Sequence, residues 1–221
     1  MTATGDTATS KLELIMGRDG LARLADSTVM VRGVGGVGSN CGEALARGGV
    51  GRLIVVDHDV VQASNINRQA IAFRSTIGRK KVDVARAMIA DINPEAQVEA
   101  LDRVVLAEDV PEFLDAYADR VDYVVDAIDT ISAKLAVAQY ADAHGVRLVS
   151  SMGAANKLRP EAFRFADVFD TVNCPLCRIM RKEARKRGIR RLRVLYSCEQ
   201  PVPVPVREGA ERRERSNPGT A

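Results

Sequence analysis

Short apolar runs alternate with amphipathic stretches along most of the chain. The runs in VMVR (29–32), RLIVVD (52–57) and VDYVVD (121–126) have the length and continuous apolarity of strands buried on both faces, and Gln97 to Leu101 and Arg147 to Ser151 read as further strands. Between them, Ser39 to Arg47, Ile77 to Asp91, Glu108 to Arg120 and Lys134 to His144 repeat apolar positions at helical spacing, as with Val82, Ala85, Met88 and Ile89. This rhythm predicts an α/β fold, a Rossmann-like doubly wound and mostly parallel sheet, over residues 11–165. A short helix within Lys11 to Ala25 is expected to lie against the sheet ahead of the first strand. Residues 1–10 read as a disordered tail, and 166–200 as a basic C-terminal segment packed on the domain. In that segment Asp167 to Cys177 is loop-like and Val194 to Cys198 a short strand. Residues 201–221, proline-spaced and then charged, read as a second disordered tail.

Composition narrows this picture. With 221 residues, 46% of them hydrophobic, the chain can bury one principal core. No window is long and uncharged enough for a membrane span, and the polar start MTATGDTATSK has no apolar signal core, so a cytoplasmic protein is expected. The formal net charge is only +3, so the distribution of charge is more informative than its sum.

The first chemically informative stretch is VRGVGGVGS (31–39), where Gly33, Gly35, Gly36 and Gly38 join a strand to a helix. Glycine there allows a tight turn and close approach of backbone to a phosphate, and the following helix aims its free amides and positive end at an anion. The same pattern also fits a glycine turn that holds no ligand. Asp57 ends the second strand about twenty residues after the last glycine, the position from which an acid meets ribose hydroxyls. Asp59 shares its loop, and His58 between them reads as a solvated residue, with metal ligation as the alternative.

SNINRQ (64–69) is dense in hydrogen-bonding groups: Arg68 offers a planar fork for phosphate oxygens, Asn65 and Asn67 directional amides. Lys80 and Lys81 fall in the first turn of a helix, where a cation opposes the dipole; a phosphate ligand would explain that cost. Asp126 and Asp129 stand at the carboxyl end of a strand, as candidates for magnesium or for contacts near a reacting phosphate.

Arg178 to Arg193 carries nine basic residues against Glu183 alone. A solvated helix face normally mixes signs, so a polyanion is expected on this one, with Arg181, Lys182, Arg185, Lys186, Arg190 and Arg191 as contacts. Few aromatic residues accompany them, which favours backbone phosphate contact over base stacking. Cys174 and Cys177 have zinc-knuckle or redox spacing, and Cys198 could be a third thiolate; a second Cys-x-x-Cys is missing. Cys41 reads as a packed small hydrophobe.

GVGGVGS (33–39), Asp57-His58-Asp59, SNINRQ, Gly78-Arg79-Lys80-Lys81, DINPEAQV (91–98) and DAIDT (126–130) occur in that order, and together they resemble the ubiquitin-activating-enzyme-like adenylation fold of the ThiF, MoeB and HesA superfamily. DAIDTISAK, SSMGAANK, NCPL with its basic stretch and VLYSCEQPV most resemble the branch that dehydrates threonylcarbamoyladenosine in tRNA. The resemblance implies ATP rather than a nicotinamide cofactor, with magnesium; a monovalent cation and zinc are further candidates. It places Gly35 and Gly36 beside adenine and phosphate, Asp57 at the ribose, Asn67, Arg68 and Lys81 at the phosphates, and Asp129 at magnesium or the α-phosphate. Arg68, Lys81 and Asp129 are thereby the expected catalytic residues, with Gly33, Gly38, Asp59, Asn65 and Asp126 completing the nucleotide site.

The implied reaction is ATP-dependent ring closure of the threonylcarbamoyl group through an acyl adenylate, with tRNA as partner and a homodimer as assembly. Two alternatives accompany it: adenylation of a ubiquitin-like sulfur carrier, with a sulfur-transfer partner protein, and a catalytically silent member that binds tRNA or another partner. Two departures from the family pattern stand out. Arg32 takes a place that is usually apolar, and the segment beyond residue 200 is charged where relatives continue with apolar and glycine residues.

Overall fold

The computed structural model describes residues 7–203. They fall into two compact units, one from the chain up to Val105 with Glu112–Ile128, the other from Leu106–Pro111 with the chain from Asp129 onward.

In the first unit four parallel strands, β1 (Thr28–Arg32), β2 (Arg52–Asp57), β3 (Gln97–Asp102) and β4 (Tyr123–Asp126), run in the order β3-β2-β1-β4. Every residue of β1 is buried, as continuous apolarity requires of a strand covered on both faces. Met30 lies between Ile54 and Val124, and Val31 between Val55 and Val125. Burial of such side chains, at roughly 1.5–3 kcal/mol each, holds the unit together. Helices α2 (Gly38–Arg47) and α3 (Lys81–Ile92) pack on these strands and on each other.

The helix ahead of β1, α1 (Ser10–Asp26), departs from expectation: it does not lie against the sheet. Gly17 breaks it with φ +69° and ψ 170°, Gly20 is its only buried residue, and Leu14 and Ile15 are 81% and 84% exposed.

The second unit contains β5 (Leu148–Ser151), β6 (Phe163–Asp167) and β7 (Arg193–Ser197) in the order β5-β7-β6, with β7 parallel to β5 and antiparallel to β6. Helix α4 (Val110–Asp115), shorter than the expected helix over 108–120, spans the boundary in sequence. Helices α5 (Ile131–His144) and α6 (Pro175–Lys186) complete the unit. Within the second unit 163–167 and 193–197 form a hydrogen-bonded ladder. The fold is mixed α/β with seven mostly parallel strands among the described residues. The tails expected at 1–10 and 201–221 lie mostly outside those residues, and Ser10 already belongs to α1. No described helix is long and apolar enough to cross a membrane.

Candidate nucleotide site

The glycine turn is built by exclusion of side chains. Gly33 has φ +86°, and a Cβ there would lie 2.8 Å from the Ala127 carbonyl oxygen. At Gly38 a Cβ would stand 1.7 Å from the Gly33 carbonyl oxygen, so the start of α2 can close on the turn only with glycine. No side chain caps α2, whose positive end therefore faces the turn without a capping group.

Asp57 fastens this turn to β2. Its Oδ2 accepts the Val34 N–H at 2.6 Å, and its Oδ1 accepts the Asp59 N–H at 2.9 Å. Both oxygens keep a second lone pair, as ribose contact would need. Asp59 turns to α3, where its Oδ2 meets Lys81 Nζ at 2.7 Å. That hydrogen bond holds the Asp59 carboxyl below its ordinary range; burial opposes the shift, and the charges of Lys81 and His58 add to it. Residues 59–61 and 78–81 hydrogen-bond to each other, through Val61 N–H to Arg79 O, Gly78 N–H to Val61 O and Lys81 N–H to Asp59 O. This ladder sets Lys81 in its buried position. Lys80, the other half of the expected pair, instead forms an ion pair with Asp102.

The SNINRQ segment lies over the glycine turn. Arg68 Cγ and Cδ are each 3.3 Å from where a Gly36 Cβ would be, and Arg68 NH1 donates to Ser64 O at 2.8 Å and Asn67 Oδ1 at 3.0 Å. The buried Asn65 differs from its expected ligand role: its Oδ1 accepts the Gln62 N–H at 3.0 Å and shapes the loop. Two residues read from sequence only as a helix start make the junction. Ser39 Oγ donates to Gly35 O at 2.6 Å and accepts the Ala70 N–H at 3.0 Å; Asn40 Nδ2 donates to Gly36 O at 2.6 Å and Arg68 O at 3.0 Å. Their polarity at the first turn, beside backbone that must be pinned, was the available signal. Gln69 joins them, buried with an unpartnered Oε1 and with Nε2 4.0 Å from the position of a Gly35 Cβ.

Asp126 is fully buried at the end of β4, in register with Arg32 at the end of β1. Arg32 is 2% exposed, with Nε and NH1 lacking partners. Burial lowers its proton affinity while the Asp126 charge opposes that shift. Asp129 is exposed and belongs to the second unit. Among the described residues one group of three side chains could converge on a metal ion, Asp57, His58 and Asp59. Cys198 does not join Cys174 and Cys177 in such a group, so the expected three-thiolate zinc site is not assembled.

In the basic block, α6 buries Cys177, Met180 and Ala184 and turns its charged residues outward. Three of the expected tRNA contacts, Arg181, Lys186 and Arg190, have partners within the unit. Arg181 NH1 donates to Thr171 O at 2.7 Å and Thr171 Oγ1 at 2.9 Å, and Arg190 Nε donates to Asp142 Oδ2 at 3.1 Å. Lys186 pairs with Glu183 at 2.8 Å, and the Arg185 guanidinium lies 5.4 Å from the Phe169 ring centre. Lys182, Arg185, Lys186 and Arg191 are exposed.

The chain is similar to known proteins in both sequence and structure. The chain is 46% identical to the tRNA threonylcarbamoyladenosine dehydratase of Bacillus subtilis (strain 168) over 196 residues, 88% of this chain and 76% of that protein. Its structure matches the crystal structure of the E. coli tRNA N6-threonylcarbamoyladenosine dehydratase in complex with ATP, with TM-score 0.83, 30% identity and coverage of 88% and 82% of the two chains. The AMP complex of that enzyme matches with TM-score 0.82, 31% identity and coverage of 87% and 81%. The ThiF family model matches residues 8–190, and the chain belongs to the ThiF family.

Proposed function

We propose that this protein is an ATP-dependent tRNA threonylcarbamoyladenosine dehydratase. The observation that carries the reading is the junction over the glycine turn, where Ser39 and Asn40 hold the Arg68 segment across Gly35 and Gly36, in a chain so similar to a dehydratase solved with ATP. The residues suit a nucleotide: a glycine cradle that a Cβ would fill, a helix start without a side-chain cap, the Asp57 carboxylate beside the turn, which we assign to the ribose, and the buried Gln69 Oε1 that still lacks a partner.

A carboxylate is a poor electrophile and is activated by attack on the ATP α-phosphate, which expels pyrophosphate and leaves an acyl adenylate. The carbamoyl group of the same nucleoside then attacks the activated carbonyl, closes a ring and releases AMP. The net change is loss of water, without a protein nucleophile. Arg68 and Lys81 are assigned to the charge that builds on the phosphates, the largest contribution in such chemistry. Asp59 holds the Lys81 ammonium in place at 2.7 Å. Magnesium would come with the triphosphate and neutralise its charge. On the family resemblance, Asp129 is the carboxylate we assign to the ion.

Lys182, Arg185, Lys186 and Arg191 are assigned to the tRNA backbone. A second copy of the chain is proposed to cover the exposed Leu14 and Ile15 of α1, giving a homodimer, and the cytoplasm is the compartment in which tRNA would be met.

The test is incubation with ATP, magnesium and tRNA bearing threonylcarbamoyladenosine, followed by gentle digestion and mass spectrometry. A nucleoside lighter by one water, formed only with ATP and lost in Arg68→Ala, is expected. ATP binding without that product would reject the dehydratase reading.

A further inference from the structure

The nucleotide chemistry makes no use of Cys174 and Cys177. We propose that these two residues are a redox site, a dithiol that closes to an intramolecular disulfide by exchange with small-molecule disulfides.

Cys174 caps α6, and Cys177 occupies the third position of its first turn. The Cys177 N–H donates to Cys174 Sγ at 3.4 Å, so the sulfur of one cysteine lies against the backbone of the other. Because Cys174 is the N-cap, with extended rather than helical backbone, its side chain turns back over the first turn and its sulfur reaches the Cys177 backbone, the arrangement from which a bridge across two intervening residues can close. Pro175 fixes the intervening backbone and carries no N–H to compete for the sulfur.

The two thiols are unequal. The Cys177 hydrogen bond lowers the proton affinity of Cys174, against burial; the amides of Cys177 and Leu176 and the charge of Lys157 act in the same lowering direction. Cys177 is pushed the other way by its hydrogen bond to Cys174 and by burial, although Thr171 and Arg181 oppose this. A thiolate beside a protonated thiol is the pairing that exchange requires, one to attack and one to resolve. A structural zinc ion would need four ligands, and Cys198 does not complete even three.

Cys174 is 5% exposed and Cys177 1%, so the oxidant must be small. The Cys174 thiolate attacks a disulfide RSSR, forming a mixed disulfide and releasing one thiolate RS⁻. Cys177 then loses its proton and attacks Cys174 Sγ, forming the internal bond and releasing the second R group as a thiolate, which takes up that proton. The pair is oxidised by two electrons and RSSR is reduced to two thiols. Stabilisation of the thiolate at the helix start favours the reduced form, and so short a closed loop adds little to the stability of the bridge. The disulfide is therefore easily reduced.

The experiment treats the full chain with oxidised glutathione, blocks remaining thiols with iodoacetamide, and maps tryptic peptides by mass spectrometry. The expected result is a peptide containing both cysteines, unalkylated and lighter by two hydrogens, that dithiothreitol restores. In Cys177→Ser, Cys174 should accumulate as its glutathione adduct at least tenfold above the untreated level, whereas Cys198→Ser should leave the bridge intact. Two results would overturn the proposal: full alkylation of both cysteines after oxidation, or one equivalent of zinc in the purified protein that protects them until a chelator is added. The wild-type peptide map decides the matter even if a variant fails to fold.

Discussion

Asp57 and Val34 are joined by a hydrogen bond of 2.6 Å from the Val34 amide to Oδ2, which ties the end of β2 to the glycine turn. The acid assigned to the ribose thus also shapes the phosphate side of the site. Asp57→Ala should abolish the rise in melting temperature that ATP gives the wild type, because the ribose partner and the anchor of the turn disappear together. Asp57→Asn keeps an acceptor for Val34 and should retain part of the rise. Equal ATP stabilisation of wild type and Asp57→Ala in thermal unfolding would refute the assignment.

Two glycines of the same turn should respond differently to alanine. Gly38→Ala puts a Cβ 1.7 Å from the Gly33 backbone oxygen, which cannot yield without opening the turn, and should cost about 3 kcal/mol or more. Gly36→Ala meets only the Arg68 side chain at 3.3 Å, which can shift. Its urea midpoint should stay near that of the wild type while ATP affinity falls. Similar midpoints for the two variants would contradict the packing described for Gly38.

The Lys81 bond to Asp59 links stability to pH. The folded carboxyl is held below its unfolded value, first by the Lys81 hydrogen bond and then, against burial, by the charges of Lys81 and His58. Its contribution is complete above the ordinary aspartate value of about 3.9, and it is lost as pH falls through the lower folded value. Melting temperatures from pH 7 to 2 should therefore fall less steeply at the acid end in Asp59→Asn than in wild type. Glu183 and Glu161, also held low by basic partners, will leave a residual slope in both proteins.

The basic residues of the second unit should divide into two classes. Charge reversal at Lys182 and Arg191 should weaken tRNA binding about tenfold or more, and should reduce the salt slope by roughly 0.7–0.9 for each phosphate that is no longer neutralised. Arg181→Ala should mainly lower thermal stability, because Thr171 is deprived of a buried partner. Filter binding over a salt series measures the first effect; an unchanged slope in Lys182→Glu with Arg191→Glu would remove that face from the tRNA site.

How far the sequence announced this structure depends on the kind of signal. The strands β1, β2 and β4 were legible because burial on both faces leaves continuous apolar runs. The glycine turn was legible because steric exclusion permits a single residue type there. Strand β6 was missed: Phe163–Asp167 has an exposed Arg164 and Phe165, and the pairing with β7 that defines it lies some thirty residues away in sequence. Within the proposed site, Asp57, Arg68 and Lys81 were read from the sequence as isolated chemistry. Their partners Val34, Ser39 and Asn40 were not, because those bonds run between segments 23 to 31 residues apart. For a related reason residue type does not disclose whether a charge such as Asp126 or Arg181 faces solvent or backbone.

Glu199 accepts the backbone amides of Leu158 and Arg159 at 3.0 and 3.1 Å, while its carbonyl takes the Lys157 ammonium. During synthesis the loop after β5 leaves the ribosome some forty residues before the residue that fixes it. Such a loop cannot settle until β7 and Glu199 have followed, so the second unit is completed from its late end, and a chain stalled before residue 199 would carry that loop unset.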